Sequence, residues 1–368
     1  MREYWKTNQF KKFFKLDKNK KIFEHTVIDL CSKYFKIDKK RFPYVVSEVG
    51  TDDSAILELN EKDYLVVSTD AISSRPLAYT LGLIGPRELG HYVVYANISD
   101  IASNCAEPLG LMLFMGLPRD YSRDNLKEII IGIKEACSEY DTCVVGGDSK
   151  YASKLQLLAT ALGKVERNTL TTRYGAKAGD IIVVTGYIGT FTAAGYSFTK
   201  KLHIPQDIKK VFINALKYPK ASLKESRLIA KFKGGHGGID ISDGLAVDLY
   251  KLTKESGVGA LIYEEKIPIH PAVQKFSKLT KIDPLKFAFG IGGDWKIIFT
   301  IDPDKWKEVK RASEKMGLKI FEIGKVTSDK QIKLITAKGR ELSLECRGHI
   351  DDFQYETFEE EIIQLVEG

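Results

Sequence analysis

PRELGHYVVYANISDIASNCAEPLGLMLFMGL, residues 86–117, contains a helix and a strand in immediate succession. Pro86 suits the first turn of a helix, and apolar side chains such as Leu89 and Val93 recur after it at helical spacing. Leu109 to Leu117 is a continuous apolar run, which is typical of a buried strand. The segment therefore predicts an α/β or mixed α+β fold.

The same alternation continues on both sides of this segment. Upstream, the strand-like runs 54–59 and 64–68 are separated by a polar turn, which predicts a hairpin. Downstream, Ser122 begins a second amphipathic helix. The apolar run 142–145 then predicts a short strand that runs into Gly146-Gly147-Asp148.

Elements of both kinds return after a polar stretch at 166–180. Ile181 to Thr185 predicts a buried strand, and later segments include a helix at 245–255 and a strand at 297–301. A chain of 368 residues with 43% hydrophobic residues is long enough for two domains with separate cores. We therefore predict a basic helical extension at 1–44, an N-terminal domain at 45–165 and a C-terminal domain at 166–368.

The net charge of +7 is confined to the beginning of the chain. Residues 1–41 hold thirteen Lys and Arg against five Asp and Glu, whereas the remainder holds 43 against 44. Apolar residues recur at helical spacing from Ile22 to Phe35, which predicts an amphipathic helix docked on the body. A solvated lysine-rich helix explains the charge better than a nucleic-acid partner does.

The five cysteines are widely spaced and form no C-x-x-C pair, so neither a disulfide framework nor a zinc ribbon is predicted. Reduced thiols indicate a cytoplasmic protein. No apolar run reaches the ~18 residues that a membrane span needs, and the lysine-rich start lacks the apolar core of a signal peptide. We therefore expect no membrane partner.

Aspartates stand at the ends of predicted strands and beside helix starts, where an α/β sheet gathers its ligand-binding groups. Asp70 and Asp148 end predicted strands, Asp100 lies within an apolar helix, and Asp240 and Asp243 precede another. Two carboxylates about 4 Å apart repel by ~4 kcal/mol at an effective dielectric of roughly 20, so a cluster needs cations. Mg²⁺ prefers oxygen ligands and commonly bridges to phosphates, which predicts a nucleotide polyphosphate as the ligand.

Each aspartate alone has an ordinary structural explanation. Asp243 suits a helix cap, and Asp52-Asp53 suits a turn. Asp100 is harder to explain, because a buried carboxylate without a partner costs several kcal/mol. Two glycine-rich segments add further alternatives: 234–238 predicts a flexible loop, while 186–189 suits either a phosphate contact or a tight turn.

Six motifs in this order resemble those of thiamine-monophosphate kinases, members of the aminoimidazole ribonucleotide synthetase (PurM-like) superfamily. The motifs cover about residues 45 to 300, and together they are far more specific than any one of them. The matching segments are Thr51–Leu57, Ser68–Asp70, Asn97–Ala102, Gly146–Asp148, Arg173–Asp180 and Asp240–Leu245.

The resemblance implies a PurM-like fold of two domains, a homodimer formed through the sheets of the N-terminal domains, and ATP held with several Mg²⁺ ions. The implied metal ligands are Asp52, Asp53, Asp70, Asp100, Asp148, Asp240 and Asp243. The implied catalytic residues are Asp53, Asp100, Asp148 and Asp243. The implied nucleotide-binding residues are Ser68, Thr69, Gly147, Asp148, Arg173 and Ser242.

The sequence departs from the kinase pattern where the kinases contact their substrate. Ala71–Leu77 replaces a V-E-G-V-H-F-like segment, and Gly293 stands in place of a glutamate. Arg75 and Lys296 add positive charge there, which predicts an anionic small-molecule substrate. The predicted substrate contacts are Arg75, Asp294, Trp295 and Lys296.

Three functions stay open on the sequence alone. The first is an ATP- and Mg²⁺-dependent phosphotransferase of the thiamine-monophosphate kinase kind. The second is an ATP-driven ligase or dehydratase that phosphorylates a carbonyl or amide oxygen, as the sister enzymes do. The third is a nucleotide-binding interaction protein without catalytic activity, which the retained aspartates argue against.

Overall fold

The computed structural model describes residues 24–73, 76–344, 362, 363, 366 and 367. Within these ranges the chain folds into two β-sheets with helices packed on them, a mixed α/β architecture with two domains. Both sheets combine parallel and antiparallel strands. None of the helices in the described ranges combines the length and the apolar composition that a membrane crossing requires.

The first sheet lies in the N-terminal half. Its described strands are β1 (Ala55–Glu58), β2 (Asp63–Ile72), β3 (Glu107–Leu117), β4 (Val144–Tyr151) and β5 (Gln156–Glu166). The helices of this half are α1 (Glu24–Tyr34), α2 (Leu77–Thr80), α3 (Pro86–Ser103) and α4 (Arg123–Glu139). The strand order is β1-β2-β5-β3-β4. β1 and β2 form the predicted hairpin, and the Ser122 hydroxyl caps α4 as predicted by accepting a hydrogen bond from the Asn125 amide.

α1 forms where the amphipathic helix is predicted, but it docks differently. The Ser32 hydroxyl donates to the Val49 carbonyl oxygen at 2.7 Å. Val27, Leu30 and Tyr34, which were expected to face the body, are exposed. The expected docking of these apolar side chains is therefore wrong, because the helix rests on its Ser32 side instead.

The second sheet lies in the C-terminal half. Its described strands are β6 (Ile181–Val184), β7 (Gly235–Asp240), β8 (Gly259–Tyr263), β9 (Ile297–Ile301), β10 (Phe321–Thr327), β11 (Ile332–Ile335) and β12 (Glu341–Ser343). Its helices are α5 (Thr190–Thr199), α6 (Gln206–Lys217), α7 (Leu223–Phe232), α8 (Leu245–Ser256), α9 (Pro271–Thr280), α10 (Pro284–Phe289) and α11 (Pro303–Lys315), with a 3₁₀ turn at Glu264–Lys266. The strand order is β12-β11-β8-β10-β6-β9-β7.

α3 joins the two halves. It is buried along most of its length, because it packs on β2 and β5 of the first sheet and on β7 and β9 of the second. The approach to β7 is so close that a Cβ at Gly238 would lie 2.1 Å from the Ser103 carbonyl oxygen. The prediction of a flexible loop at 234–238 is therefore wrong, since Gly235, Gly237 and Gly238 belong to β7, which must lie against a helix backbone.

Two strands extend beyond their predicted ends. β4 was expected to end at Asp148, but its parallel pairing with β3 carries it on to Tyr151. β2 was expected to end at Asp70, but its antiparallel pairing with β5 carries it on to Ile72. In both cases a neighbouring strand, distant in sequence, sets the length.

Candidate active site

α3 carries two side chains that form hydrogen bonds with different sheets. Asp100 accepts a hydrogen bond from the Ser68 hydroxyl of β2. The neighbouring Ser99 hydroxyl donates to Asp240 Oδ2 at 2.7 Å. Asp240 is the last residue of β7, so both sheets and the central helix meet at these contacts.

The backbone of Asp70 is fastened to the same helix. The Asn97 side chain accepts a hydrogen bond from the Asp70 amide and donates one to its carbonyl oxygen, each at 3.1 Å. These two bonds hold β2 against α3. The Asp70 carboxylate consequently lies within the electrostatic field of Asp53.

The turn before β1 adds two more acidic side chains. Asp52 accepts hydrogen bonds from the Arg173 amide at 2.8 Å and from the Asn104 side-chain amide at 3.1 Å. Asp53 forms an ion pair with the Arg173 guanidinium group, whose side chain is only 11% exposed. The segment that links the two halves therefore supplies a cation to these carboxylates.

We call Asp52, Asp53, Asp70, Asp100 and Asp240 the acidic cluster. Burial, followed by the Asp53 charge, raises the pKa of Asp52 to about 6 and that of Asp240 to about 7. Burial raises the pKa of Asp70 to about 6, and burial together with the Asp240 charge holds the pKa of Asp100 well above its usual range. The carboxylates repel one another, so full ionisation of the cluster requires added positive charge.

The turn between β7 and α8 holds a second acidic group. The Lys251 ammonium forms an ion pair with Asp243 and lies 3.6 Å from Asp248 Oδ1. Asp248 is fully buried, and its Oδ2 accepts a hydrogen bond from the Asp243 amide at 2.9 Å. Asp243 is not a helix cap, because Gly244 occupies the cap position and the Asp243 carboxylate binds Lys251 instead.

Asp148 lies apart from these groups. It is on β4, an edge strand whose residues are all exposed. Its carboxylate pairs with Lys150 at 3.3 Å and accepts a hydrogen bond from the Ser149 amide at 2.8 Å. The expectation that Asp148 ends a strand is wrong, because pairing with β3 continues β4 past this position.

The predicted nucleotide contacts lie in several places. Ser68 faces Asp100 from β2, whereas the adjacent Thr69 is exposed. Gly147 lies on the exposed strand β4, and Ser242 lies in the turn that follows β7. The structure thus places Ser68 against α3 and Ser242 just after the end of β7, and leaves Gly147 on the sheet edge.

Asp294, a predicted substrate contact, holds the start of α5. Its two carboxylate oxygens accept hydrogen bonds from the amides of Gly189 at 2.7 Å and Phe191 at 3.0 Å. Burial raises the pKa of Asp294 to about 6. The 186–189 segment is therefore a tight turn that leads into α5. The Asp294 carboxylate already binds the amides at the N-terminus of α5, so these amides are not available to a phosphate.

The neighbouring predicted substrate contacts, Trp295 and Lys296, lie where the two halves meet, but only Lys296 lines a cavity there. The Trp295 ring meets the Tyr92 ring of α3 edge to face, with ring centroids 5.4 Å apart. Lys296 Nζ donates to the Lys220 carbonyl oxygen at 2.9 Å, and the side chain lines a cavity of 850 Å³. Burial lowers the pKa of Lys296. Arg75 lies outside the described residues.

The donor set fits a hard divalent cation. Asp53 Oδ2 is buried and has no hydrogen-bond partner within the described ranges. Carboxylate oxygens are the ligands that Mg²⁺ prefers. Among the described residues, no group of three His, Cys, Asp or Glu side chains is arranged as a finished metal site. Arg173 and Lys251 instead hold two of the carboxylates, Asp53 and Asp243.

The sequence analysis missed several contacts of the predicted aspartates, among them Asn104, Asp248 and Lys251. For Asp248 a signal was available, because it lies on the apolar stripe of α8 with Leu245 and Leu252. For Asn104 and Lys251 there was none. A polar residue after a helix and a lysine within one are ordinary features of a sequence.

Known proteins resemble the chain along most of its length. Residues 51–165 match the N-terminal domain of AIR synthase related protein, and residues 177–337 match its C-terminal domain. The chain belongs to the AIR synthase related family. This family member is 34% identical over 285 residues to the thiamine-monophosphate kinase of Methanospirillum hungatei, a match that covers 76% of this chain and 91% of the relative. It is 32% identical over 250 residues to the thiamine-monophosphate kinase of Pyrococcus horikoshii, covering 68% of this chain and 76% of the relative.

Solved structures share the fold of this family member. The structure described as AaThiL complexed with AMPPCP and TMP has a TM-score of 0.72 at 24% identity, covering 89% of this chain and 99% of that chain. Hydrogenase maturation protein HypE in complex with ATP has a TM-score of 0.63 at 20% identity, covering 87% and 94%. The predicted PurM-like, thiamine-monophosphate kinase-like family and its two-domain α/β fold are confirmed.

Proposed function

We propose that this family member transfers the terminal phosphoryl group of ATP to thiamine phosphate with the help of Mg²⁺. The acidic cluster carries the proposal, because carboxylates from both halves of the chain meet around Arg173 at the junction between the sheets. Such a group is stable in its ionised form only beside cations, and Mg²⁺ with ATP supplies them. The thiamine-monophosphate kinases at 32% and 34% identity support this reaction.

The acidic cluster and Asp243 would hold the metal. Bound Mg²⁺ would neutralise charge that develops on the transferred phosphoryl group. The hydroxyls of Ser68 and Ser99 orient two of the carboxylates, and Ser242 and Thr69 would contact the nucleotide. Asp148 stays a predicted metal ligand and nucleotide contact, and Gly147 a predicted nucleotide contact. Both lie on the exposed strand β4, and neither forms a hydrogen bond to the acidic cluster in the described residues.

Arg173 would change partners when the nucleotide binds. Its planar guanidinium group suits bidentate pairing with phosphate oxygens. In this structure it pairs with Asp53. A divalent ion on Asp53 would release the guanidinium group, which could then bind the phosphates beside it.

The acceptor would lie in the cavity that Lys296 lines. The Lys296 ammonium donates to a carbonyl oxygen rather than to a carboxylate, so it can pair with an anionic group of the substrate. Asp294 lines the same cavity and holds the start of α5 beside it, while the Trp295 ring packs on Tyr92 outside the cavity lining. An anionic substrate such as thiamine phosphate fits these features.

We further propose a homodimer formed through the first sheet. β4 is an exposed edge strand, and such an edge is a template for pairing or packing with another chain. Contiguous exposed apolar groups commonly mark interfaces. The exposed apolar side chains of β3 and β4 are Leu109, Met112, Val144, Val145 and Tyr151.

The domain boundaries and the cellular location stay predictions. The division into an extension at 1–44 and domains at 45–165 and 166–368 agrees with the placement of the two sheets. A cytoplasmic location is supported by free thiols at all four described cysteines, Cys31, Cys105, Cys137 and Cys143.

A product assay tests the proposed reaction. The full chain is incubated with ATP, Mg²⁺ and thiamine phosphate, and the products are separated by chromatography. We expect thiamine diphosphate and ADP in equal amounts. ADP release only with a different acceptor would favour the ligase or dehydratase alternative, and nucleotide binding without turnover would favour the interaction protein.

A further inference from the structure

We propose that Lys251 is a built-in counter-ion of the metal site. Its ammonium group pairs with Asp243 until a divalent cation binds that carboxylate, and the ammonium group then moves onto Asp248. The inference rests on the proposed function, because it takes Asp243 as one of the carboxylates that bind the metal. It concerns a residue that the predicted set of metal ligands and catalytic residues does not contain.

Lys251 lies between two carboxylates of unequal accessibility. The Asp243 side chain is 32% exposed, so an ion from solvent can reach it, whereas Asp248 is fully buried. The ammonium pairs directly with Asp243 and stands 3.6 Å from Asp248 Oδ1. The accessible carboxylate is therefore the one that Lys251 occupies.

Asp248 offers the Lys251 ammonium a carboxylate oxygen that accepts no hydrogen bond from the described residues. Its Oδ2 accepts the hydrogen bond of the Asp243 amide, but its Oδ1 has no hydrogen-bond partner in the described part of the chain. An unsatisfied buried acceptor costs free energy, and a lysine has three donors on a flexible stem. Shortening the distance from 3.6 Å to the ~2.8 Å of a charged hydrogen bond would satisfy Oδ1 and free Asp243.

The Lys251 charge also reaches the acidic cluster. Burial opposes the charged form of Lys251, but Asp243, Asp248 and Asp53 more than offset this and hold its pKa above the ordinary value. The Lys251 charge in turn stabilises the ionised form of Asp240. The Lys251 ammonium therefore supplies part of the positive charge that a bound metal would supply. While it lies beside Asp243 it repels an incoming divalent ion.

Mn²⁺ titration of the full chain without nucleotide tests the proposal, with free Mn²⁺ measured by electron paramagnetic resonance. We expect Lys251→Met to bind Mn²⁺ at least tenfold more tightly than the unaltered chain, because one positive charge beside Asp243 is gone. Lys254→Met removes an exposed lysine from the same helix and is the matched control, expected to leave the affinity within twofold. Lys251→Arg keeps the charge and should not tighten binding.

Asp248→Asn tests the second position of the ammonium. The asparagine amide can still accept the Asp243 N–H, but it offers Lys251 a neutral acceptor in place of a carboxylate. The ammonium should then stay on Asp243, and Mn²⁺ should bind at least threefold more weakly than to the unaltered chain.

Three outcomes would overturn the proposal. Equal Mn²⁺ affinity of Lys251→Met and Lys254→Met would show that Lys251 does not compete with the metal, and weaker binding to Lys251→Met would make it only a support for Asp243. If circular dichroism shows that Lys251→Met does not fold, the test rests on Asp248→Asn. Mn²⁺ affinity of Asp248→Asn equal to or higher than that of the unaltered chain would then overturn the proposal. Failure of the proposed function looks different, since the unaltered chain would then bind no Mn²⁺ even with saturating AMPPCP.

Discussion

At the scale of single residues, Asp240 shows how the acidic cluster is balanced. It is buried at the end of β7, and its pKa is raised from 3.8 to about 7, first by burial and then by Asp53. Between these two values the folded chain binds a proton that the unfolded chain releases. Its contribution to stability is therefore most favourable at low pH and is lost as the pH rises through about 7.

Asp240→Asn should stabilise the metal-free chain, and the effect should grow with pH. Asparagine cannot ionise and still accepts the Ser99 hydrogen bond. We expect the gain in free energy of unfolding to be about 2–3 kcal/mol larger at pH 8 than at pH 5. The gain grows by ~1.4 kcal/mol for each pH unit up to the raised pKa of about 7 and then levels off. Urea unfolding in EDTA measures it, with the surface change Asp120→Asn as control. A gain independent of pH would contradict the electrostatic explanation.

Asp100→Asn should separate stability from activity. The Asp100 carboxyl is costly to ionise in the metal-free chain, because burial and Asp240 both disfavour the charge. The variant should therefore unfold at the same or a higher urea concentration, while kcat falls by about a hundredfold or more through the loss of an electrostatic ligand. Steady-state kinetics with thiamine phosphate checks this. Activity within tenfold of the unaltered chain would rule out a direct role for Asp100.

At the scale of elements, α8 shows what the sequence could predict. Its start at Leu245 and its end before Gly257 follow from local signals, namely apolar spacing and a left-handed C-terminal glycine. The ion pair between Asp243 and Lys251 could not be predicted, since it depends on the path of the preceding turn. The exposure of Asp148 was equally hidden, because the length of β4 depends on its neighbour β3.

Two glycines that flank α8 should respond differently to alanine. At Gly244 the φ angle is 99° and a Cβ would lie 1.8 Å from the Gly290 carbonyl oxygen, so Gly244→Ala must displace the turn that carries Asp243. At Gly257 the φ angle is 69°, and a Cβ would have no atom within 4 Å other than those of the adjoining chain. We expect Gly257→Ala to cost about 1–2 kcal/mol of unfolding free energy and Gly244→Ala about 3 kcal/mol or more. Equal losses in urea unfolding would show that the contact with Gly290 is not limiting.

At the scale of the whole molecule, the site exists because both sheets dock on α3. Buried polar contacts fix this arrangement, among them the Ser226 hydroxyl donating to the Ala102 carbonyl oxygen at 2.6 Å and Ser99 donating to Asp240. The order of the motifs was enough to predict that distant aspartates belong to one fold. Which of them touch, and which lie at a sheet edge, depends on the packing of the two halves on one helix.

The proposed dimer gives a prediction at this scale. Val145 is 56% exposed on β4, and Val145→Glu should convert dimers to monomers by placing a charge in the proposed interface. Light scattering after size-exclusion chromatography measures the mass. Leu279→Glu, an equally exposed apolar position on α9, is the control and should stay dimeric. A monomeric unaltered chain would refute the proposed dimer.

The claim on which the function depends is that the carboxylates bind the nucleotide through divalent cations. Calorimetric titration of the full chain with AMPPCP, in Mg²⁺ and then in EDTA, tests it most directly. We expect one saturable binding event per chain in Mg²⁺ and none in EDTA. Equal binding in both solutions, or none in Mg²⁺, would contradict the claim.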